Sequence, residues 1–284
     1  MLQDGLYAFF MKHQEEFQAE LKKYEITPNE ESIRQMHVCI KKMHVIFELL
    51  QHLTNGKISA TRQLTDFRVI SKNTMAIQFF RLQLHLLAAY KIQIPYDFSE
   101  YSDYLNTKIR EKRDLSRLNK VNIKTSQLIE NQLLVKHFIL VELQKKEILE
   151  GIYSFLKSRF SKIEKLVKEK TKGDLHQIRI WYQEIYYTLS LVNKYHLQSN
   201  KFKLVLEKIK VFDRQIMVCH DLSVLRDGFN EYLDKFPTLR YKVTYQTLQS
   251  QININAENKR QELQTQLIEA ILPQLNKLMP FLKL

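Results

Sequence analysis

The stretch Ile33-Arg-Gln-Met-His-Val-Cys-Ile-Lys-Lys-Met-His44 can be laid over Leu175-His-Gln-Ile-Arg-Ile-Trp-Tyr-Gln-Glu-Ile-Tyr186 without a gap. The offset is 142 residues (176 − 34), and apolar side chains meet at 33/175, 36/178, 38/180 and 43/185. The polar positions trade places: Arg34 and His37 fall opposite His176 and Arg179. Apolar residues three and four apart mark a helix in each copy, and a pattern returning at a long fixed offset marks an internal repeat. Glu111-Lys-Arg113 echoes Asn258-Lys-Arg260 at a similar offset of 147 (260 − 113), so the register persists beyond one helix.

Working outward, the same helical spacing fills nearly the whole chain. Leu6, Phe9, Phe10, Phe17 and Leu21 form one helix before Thr27-Pro28-Asn29, and Glu30 to Leu53 form the next, closing at Asn55-Gly56. A third helix is expected from Arg62 to Tyr90, ahead of Pro95, and a fourth from Asp97 through Lys108-Ile-Arg-Glu-Lys-Arg113 to Lys120. The pattern then restarts, with segments 125–170, 174–196, 201–235 and 240–278 separated most clearly by Gly173 and Pro237. The expectation is an all-α protein of about eight long helices, in two four-helix bundles related by a pseudo-two-fold duplication. The halves would be residues 1–122 and 123–284.

Composition agrees. Apolar residues make up 44% of the 284 positions, which excludes a chain too polar to build a core. Five glycines and five prolines are too few to turn the corners of a many-stranded protein. Lys and Arg outnumber Asp and Glu by 44 to 31, a formal charge of +13 that attracts polyanions. Cys39 and Cys219 have neither zinc-type spacing nor the number for a disulfide framework, so a reducing cytoplasm is expected. The N-terminal MLQDGLYAFFMKH reads as no export signal, and no apolar run is long enough for membrane insertion.

At 100° per residue, Arg34, His37, Lys41 and His44 fall in one stripe about 80° wide, beside a core face of Ile33, Met36, Ile40, Met43 and Phe47. Crowded cations repel one another, and an anionic partner removes that cost. In the second copy His176, Arg179, Gln183 and Tyr186 occupy the equivalent stripe, donors at every position. Arg presents a fork for bidentate phosphate contacts and Lys a point charge. His176 also follows Lys172-Gly173-Asp174 at an expected helix N-terminus, where free N–H groups favour anions.

These two strings, with Ile216-Met-Val-Cys-His-Asp-Leu222, resemble the CHAD family, the conserved-histidine α-helical domain. Its pattern is a His, two spacers and Arg-Val, followed by a basic turn, once per half. His176 and Arg179 match the second copy. In the first copy Arg34 and His37 exchange the two residue types, with Lys41, Lys42 and His44 at the basic turn. The family's Arg-Asp or His-Asp element is kept at His220-Asp221 and replaced by Thr74-Met75 in the first half.

The resemblance implies a non-catalytic module that binds inorganic polyphosphate, or another phosphate-rich polyanion, in a groove between the halves. It takes no cofactor and no metal. The binding set would be Arg34, His37, Lys41, Lys42, His44, His176, Arg179 and His220, flanked by Lys112, Arg113, Lys259 and Arg260.

Two other readings compete. Nucleic acid satisfies the charge equally, although no recognition helix, zinc finger or Gly-rich phosphate loop is present, and Trp181, Tyr182, Tyr186 and Tyr187 fit a core better than a base-stacking platform. An HD-type metal-dependent phosphohydrolase would use His220-Asp221, but spacing supplies it no further ligands.

Overall fold

In the computed structural model, residues 2–27, 29–118, 125–168, 175–237 and 242–273 are described, together with 277 and 280. Every regular element among them is helical: α1 (Leu2–Ile26), α2 (Glu30–Leu53), α3 (Ala60–Gln63), α4 (Thr65–Gln93), α5 (Ser99–Leu118), α6 (Thr125–Lys136), α7 (Lys145–Lys168), α8 (Leu175–Val192), α9 (Asn200–Lys235) and α10 (Lys242–Gln266). Single π-turns follow α6 (His137–Glu142), α8 (Asn193–Leu197) and α10 (Leu267–Ile271). The protein is all-α. None of the described helices is long and apolar enough to cross a membrane.

Local chemistry explains the ends of α2. Asn29 caps it by accepting from the Ser32 N–H at 2.8 Å, which satisfies one of the orphan donors of the first turn. At the other end Asn55 and Gly56 take positive φ, 50° and 84°. The Gly56 N–H returns to the Gln51 carbonyl and the Asn55 N–H to the His52 carbonyl. That pair of bonds is a Schellman closure, and it depends on a residue that tolerates the left-handed region.

The expected helix over 125–170 is two helices. Between α6 and α7 the backbone runs through the π-turn into Leu143, which is extended. The Gln3 side-chain amide of α1 donates to the Ile139 and Leu143 carbonyls, satisfying acceptors left over by the break. Glu147, at the third helical position of α7, accepts from the Gln144 N–H at 2.7 Å, the return half of a capping box. The third expected helix is likewise divided, at Leu64, into α3 and α4.

Contacts divide the chain into two compact units. One comprises residues 1–71, 121–211 and 271–284, and the other 72–120 and 212–270. This partition follows contacts and cuts across the sequence halves at 122/123, because α4 and α9 each supply residues to both units. In the first unit α1 buries Leu2, Leu6, Phe10, His13, Phe17 and Leu21 along one face, with Phe10 meeting Phe47 edge-on at 5.4 Å. The second unit is built on an aromatic cluster of Tyr90, Phe98, Tyr101, Phe229, Tyr232 and Tyr245, closed by Leu87, Leu105, Leu225, Leu248 and Ile252.

Candidate polyanion-binding residues

In the first unit, α2 carries five of the residues singled out from sequence. Arg34 is exposed and grips Glu31 in the preceding turn with two hydrogen bonds of 2.8 and 2.6 Å, and this holds the Glu31 carboxyl down at about 2. Lys41 is exposed and Lys42 half-buried. His37 departs from the cationic stripe. It is only 8% exposed, and burial, with the Lys41 ammonium adding to it, lowers its pKa to about 4.

His37 is therefore neutral over the physiological range and is not a cationic donor on the surface. The helical wheel erred because it allowed α2 one buried arc. Cys39, Val45 and Leu49 are buried as well as Ile33, Met36 and Ile40, since α2 packs on α1, α7 and α8 at once.

His44, on the same expected stripe, belongs to an internal network. Its Nε2 lies 3.4 Å from Glu48 and its Nδ1 4.0 Å from Glu184. The Arg159 guanidinium of α7 bridges the two carboxylates, at 2.7 Å to Glu48 and 2.5 Å to Glu184, and stacks over the Phe155 ring at 4.7 Å. Burial raises the Glu184 carboxyl to about 7, aided by the nearby Glu48 and opposed by Arg159. Helical spacing alone does not reveal this network. Its sequence signal is a charged residue inside an apolar pattern: Glu48 within Val-Ile-Phe-Glu-Leu-Leu and Glu184 between Tyr182 and Ile185.

On α8, Arg179 is half-buried, and its Nε has no hydrogen-bond partner among the described residues. The side chain of His176 and the Lys172-Gly173-Asp174 turn lie outside the described residues, as does the side chain of Thr74.

The remaining expected residues lie in the second unit. Lys112 is half-buried and Arg113 exposed on α5. Arg113 lies close enough to Arg81 of α4 that its charge joins burial in lowering the Arg81 pKa. On α10, Lys259 pairs with Glu262 at 2.7 Å and Arg260 with Glu257 at 3.0 Å. Arg260, Lys259 and Arg226 of α9 all act on the buried Cys219 thiol, which burial nevertheless holds up at about 11. Arg81 and Arg226 were not singled out from sequence, because only the packing of α4 on α5 and of α9 on α10 reveals their neighbours. His220 sits beside Asp221, Nδ1 to Oδ1 3.5 Å, against the Phe79 ring. Among the described residues, the group of three potential metal ligands that converges lies elsewhere, at His13, Glu16 and Cys39.

This helix arrangement is similar to the crystal structure of the CHAD domain from the plant Ricinus communis, with a TM-score of 0.56 over 98% of this chain and 91% of that one. The fold is that of a CHAD domain. Sequence identity to that domain is 15%, so the likeness is one of architecture. No family model matches the chain, and no curated protein matches it.

Proposed function

We propose that this chain is a divergent CHAD family member that arose by internal duplication, and that it acts as a non-catalytic module binding inorganic polyphosphate. The observation that carries this reading is the CHAD fold over almost the entire chain. The recurrence of helix positions supports the duplication: α7 begins 143 residues after α1 (145 − 2), and α10 begins 143 residues after α5 (242 − 99). Clustered cations support the ligand class. Arg81 and Arg113 lie close enough to repel, and Arg226, Lys259 and Arg260 converge near Cys219. An anionic chain threading such positions relieves that repulsion.

Arg34, Lys41, Lys42 and Arg179 would serve in the first unit and Lys112, Arg113, Lys259 and Arg260 in the second, with His176 and His220 as donors; His44 is taken up by Glu48 and Glu184. Binding is electrostatic in this reading, so affinity falls log-linearly with salt and long polyphosphates bind more tightly than short ones. The test compares polyphosphate with single- and double-stranded DNA at matched salt. Arg34→Ala with Arg179→Ala, and Arg113→Ala with Arg260→Ala, should each weaken polyphosphate binding at least tenfold and flatten the salt slope by up to about one unit per cation removed. Lys157→Ala with Lys165→Ala on α7 is the control. Equal weakening in all three doubles reduces the attraction to diffuse surface charge. DNA held as tightly as polyphosphate at every salt moves the function to nucleic acid.

A further inference from the structure

The geometry points to a zinc site formed by His13, Glu16 and Cys39, between α1 and α2, none of whose ligands belongs to the polyanion-binding set proposed above. The ligand atoms of these three side chains lie within 4.8 Å of one another. His13 Nδ1 is 2.7 Å from Glu16 Oε2, and Cys39 Sγ is 3.9 Å from the same oxygen. Zinc bonds of about 2.0–2.3 Å set donor-to-donor edges of roughly 3.3–3.8 Å in a tetrahedron. The observed separations bracket that range, and the exposed Glu16 side chain can absorb the adjustment by rotating.

Each element has a reason to hold its ligand. His13 and Glu16 are one helical turn apart on α1 and so share a face. The His13 ring is 4% exposed and pinned edge-on by Phe9 at 4.5 Å. Cys39 is 3% exposed and arrives from α2, the principal packing partner of α1. Two ligands are thus fixed by the core, and the third, Glu16, has a side chain 45% exposed. Solvent reaches the cluster on that side, which leaves a fourth position for water or an anionic oxygen.

The donor set decides the metal. One imidazole nitrogen, one thiolate sulfur and one carboxylate oxygen suit zinc, whereas magnesium and calcium require oxygen ligands throughout. On binding, the Cys39 S–H bond is broken and a sulfur–zinc bond forms, the proton leaving to solvent. Glu16 is already ionised, and its bond to the metal replaces the hydrogen bond from His13; the neutral ring then carries its one proton on Nε2, which frees Nδ1 to ligate. Two negative ligands then balance the ion's two charges. The groups facing the cluster are the cations Lys12 and Lys42 and the carboxylate Glu20. The ammonium groups temper affinity without occupying a ligand position.

The test uses the full chain free of any polyhistidine tag. Zinc is titrated against a chromogenic chelator, and cobalt replaces it for absorption spectroscopy. One ion per chain is expected, with a thiolate-to-cobalt charge-transfer band and tetrahedral visible bands. Cys39→Ser should remove the charge-transfer band, Glu16→Gln should weaken zinc at least tenfold, and Cys219→Ser should change neither. Circular dichroism checks that Cys39→Ser is folded; if it is not, Glu16→Gln decides alone, since that side chain is solvent-exposed. A wild-type cobalt complex without a thiolate band, or Glu16→Gln binding zinc as the wild type does, overturns the assignment.

Discussion

Glu184 is a carboxyl whose folded-state pKa stands near 7, so its protonation changes within the range where most measurements are made. Because the folded value lies above the unfolded one, the neutral form's contribution is fully present below about pH 4.5 and is lost as pH rises through 7. One pKa unit corresponds to about 1.4 kcal/mol, so the change amounts to at most about 3 kcal/mol. Glu184→Gln cannot make it. The stability of this variant, measured by urea denaturation, should therefore improve relative to wild type by up to that amount between pH 4.5 and 7.5. An unchanged difference across the range would mean Arg159 keeps Glu184 ionised throughout. His37 leads to a prediction about binding: held near 4 by burial, it gains no charge between pH 7.5 and 5.5. His37→Gln should leave any tightening of polyphosphate over that interval as it is in wild type, measured by fluorescence anisotropy.

At the scale of the element, some helices were open to reading and others were not, for definite reasons. The limits of α2 follow from Asn29, Asn55 and Gly56, whose backbone preferences act locally and so are written locally. The break between α6 and α7 has no proline or glycine to mark it. Its cause is a shift in hydrogen-bond register satisfied by Gln3, a residue 136 positions from its Ile139 partner. The exposure of Arg34, Lys41 and Arg113 follows from spacing, because surface cations need only a place on the outer face of a helix. The burial of His37 was not found, because a wheel drawn from one helix does not contain the neighbours that cover it.

Packing can also reverse a helix preference. A Cβ added at Gly5 of α1 would stand 2.3 Å from Tyr195 Cγ, the fixed root of the ring. Alanine favours a helix over glycine by about 1 kcal/mol, yet overpacking of this kind costs about 1–3 kcal/mol. Gly5→Ala should thus lower stability by about 1 kcal/mol, seen as a downward shift in urea midpoint. A rise in midpoint would show that Tyr195 moves aside freely. At Phe98, where a buried aromatic adopts a φ of 48°, truncation to alanine should cost about 3–5 kcal/mol by the same measurement.

At the scale of the whole molecule, the two compact units each draw on both halves of the sequence. A fragment of residues 1–122 supplies α1 to α3 to one unit and most of α4 and all of α5 to the other, completing neither. Expressed alone, it should lack a cooperative thermal transition, and mixing it with 123–284 should restore one. A sharp melt of either fragment by itself would contradict this.

The interleaving also has a consequence in time. During synthesis the face of α5 that carries Tyr101 and Leu105 emerges long before its partners on α9, whose share of that unit begins at Phe212, some 92 residues after Lys120 (212 − 120). At roughly 5–20 residues per second the wait is about 5–20 s. Throughout it the nascent chain offers a stripe of aromatic rings to whatever else is in solution, and a holdase that shields such stripes should raise the yield of native protein more than it would for a chain folding strictly from its first residue onward.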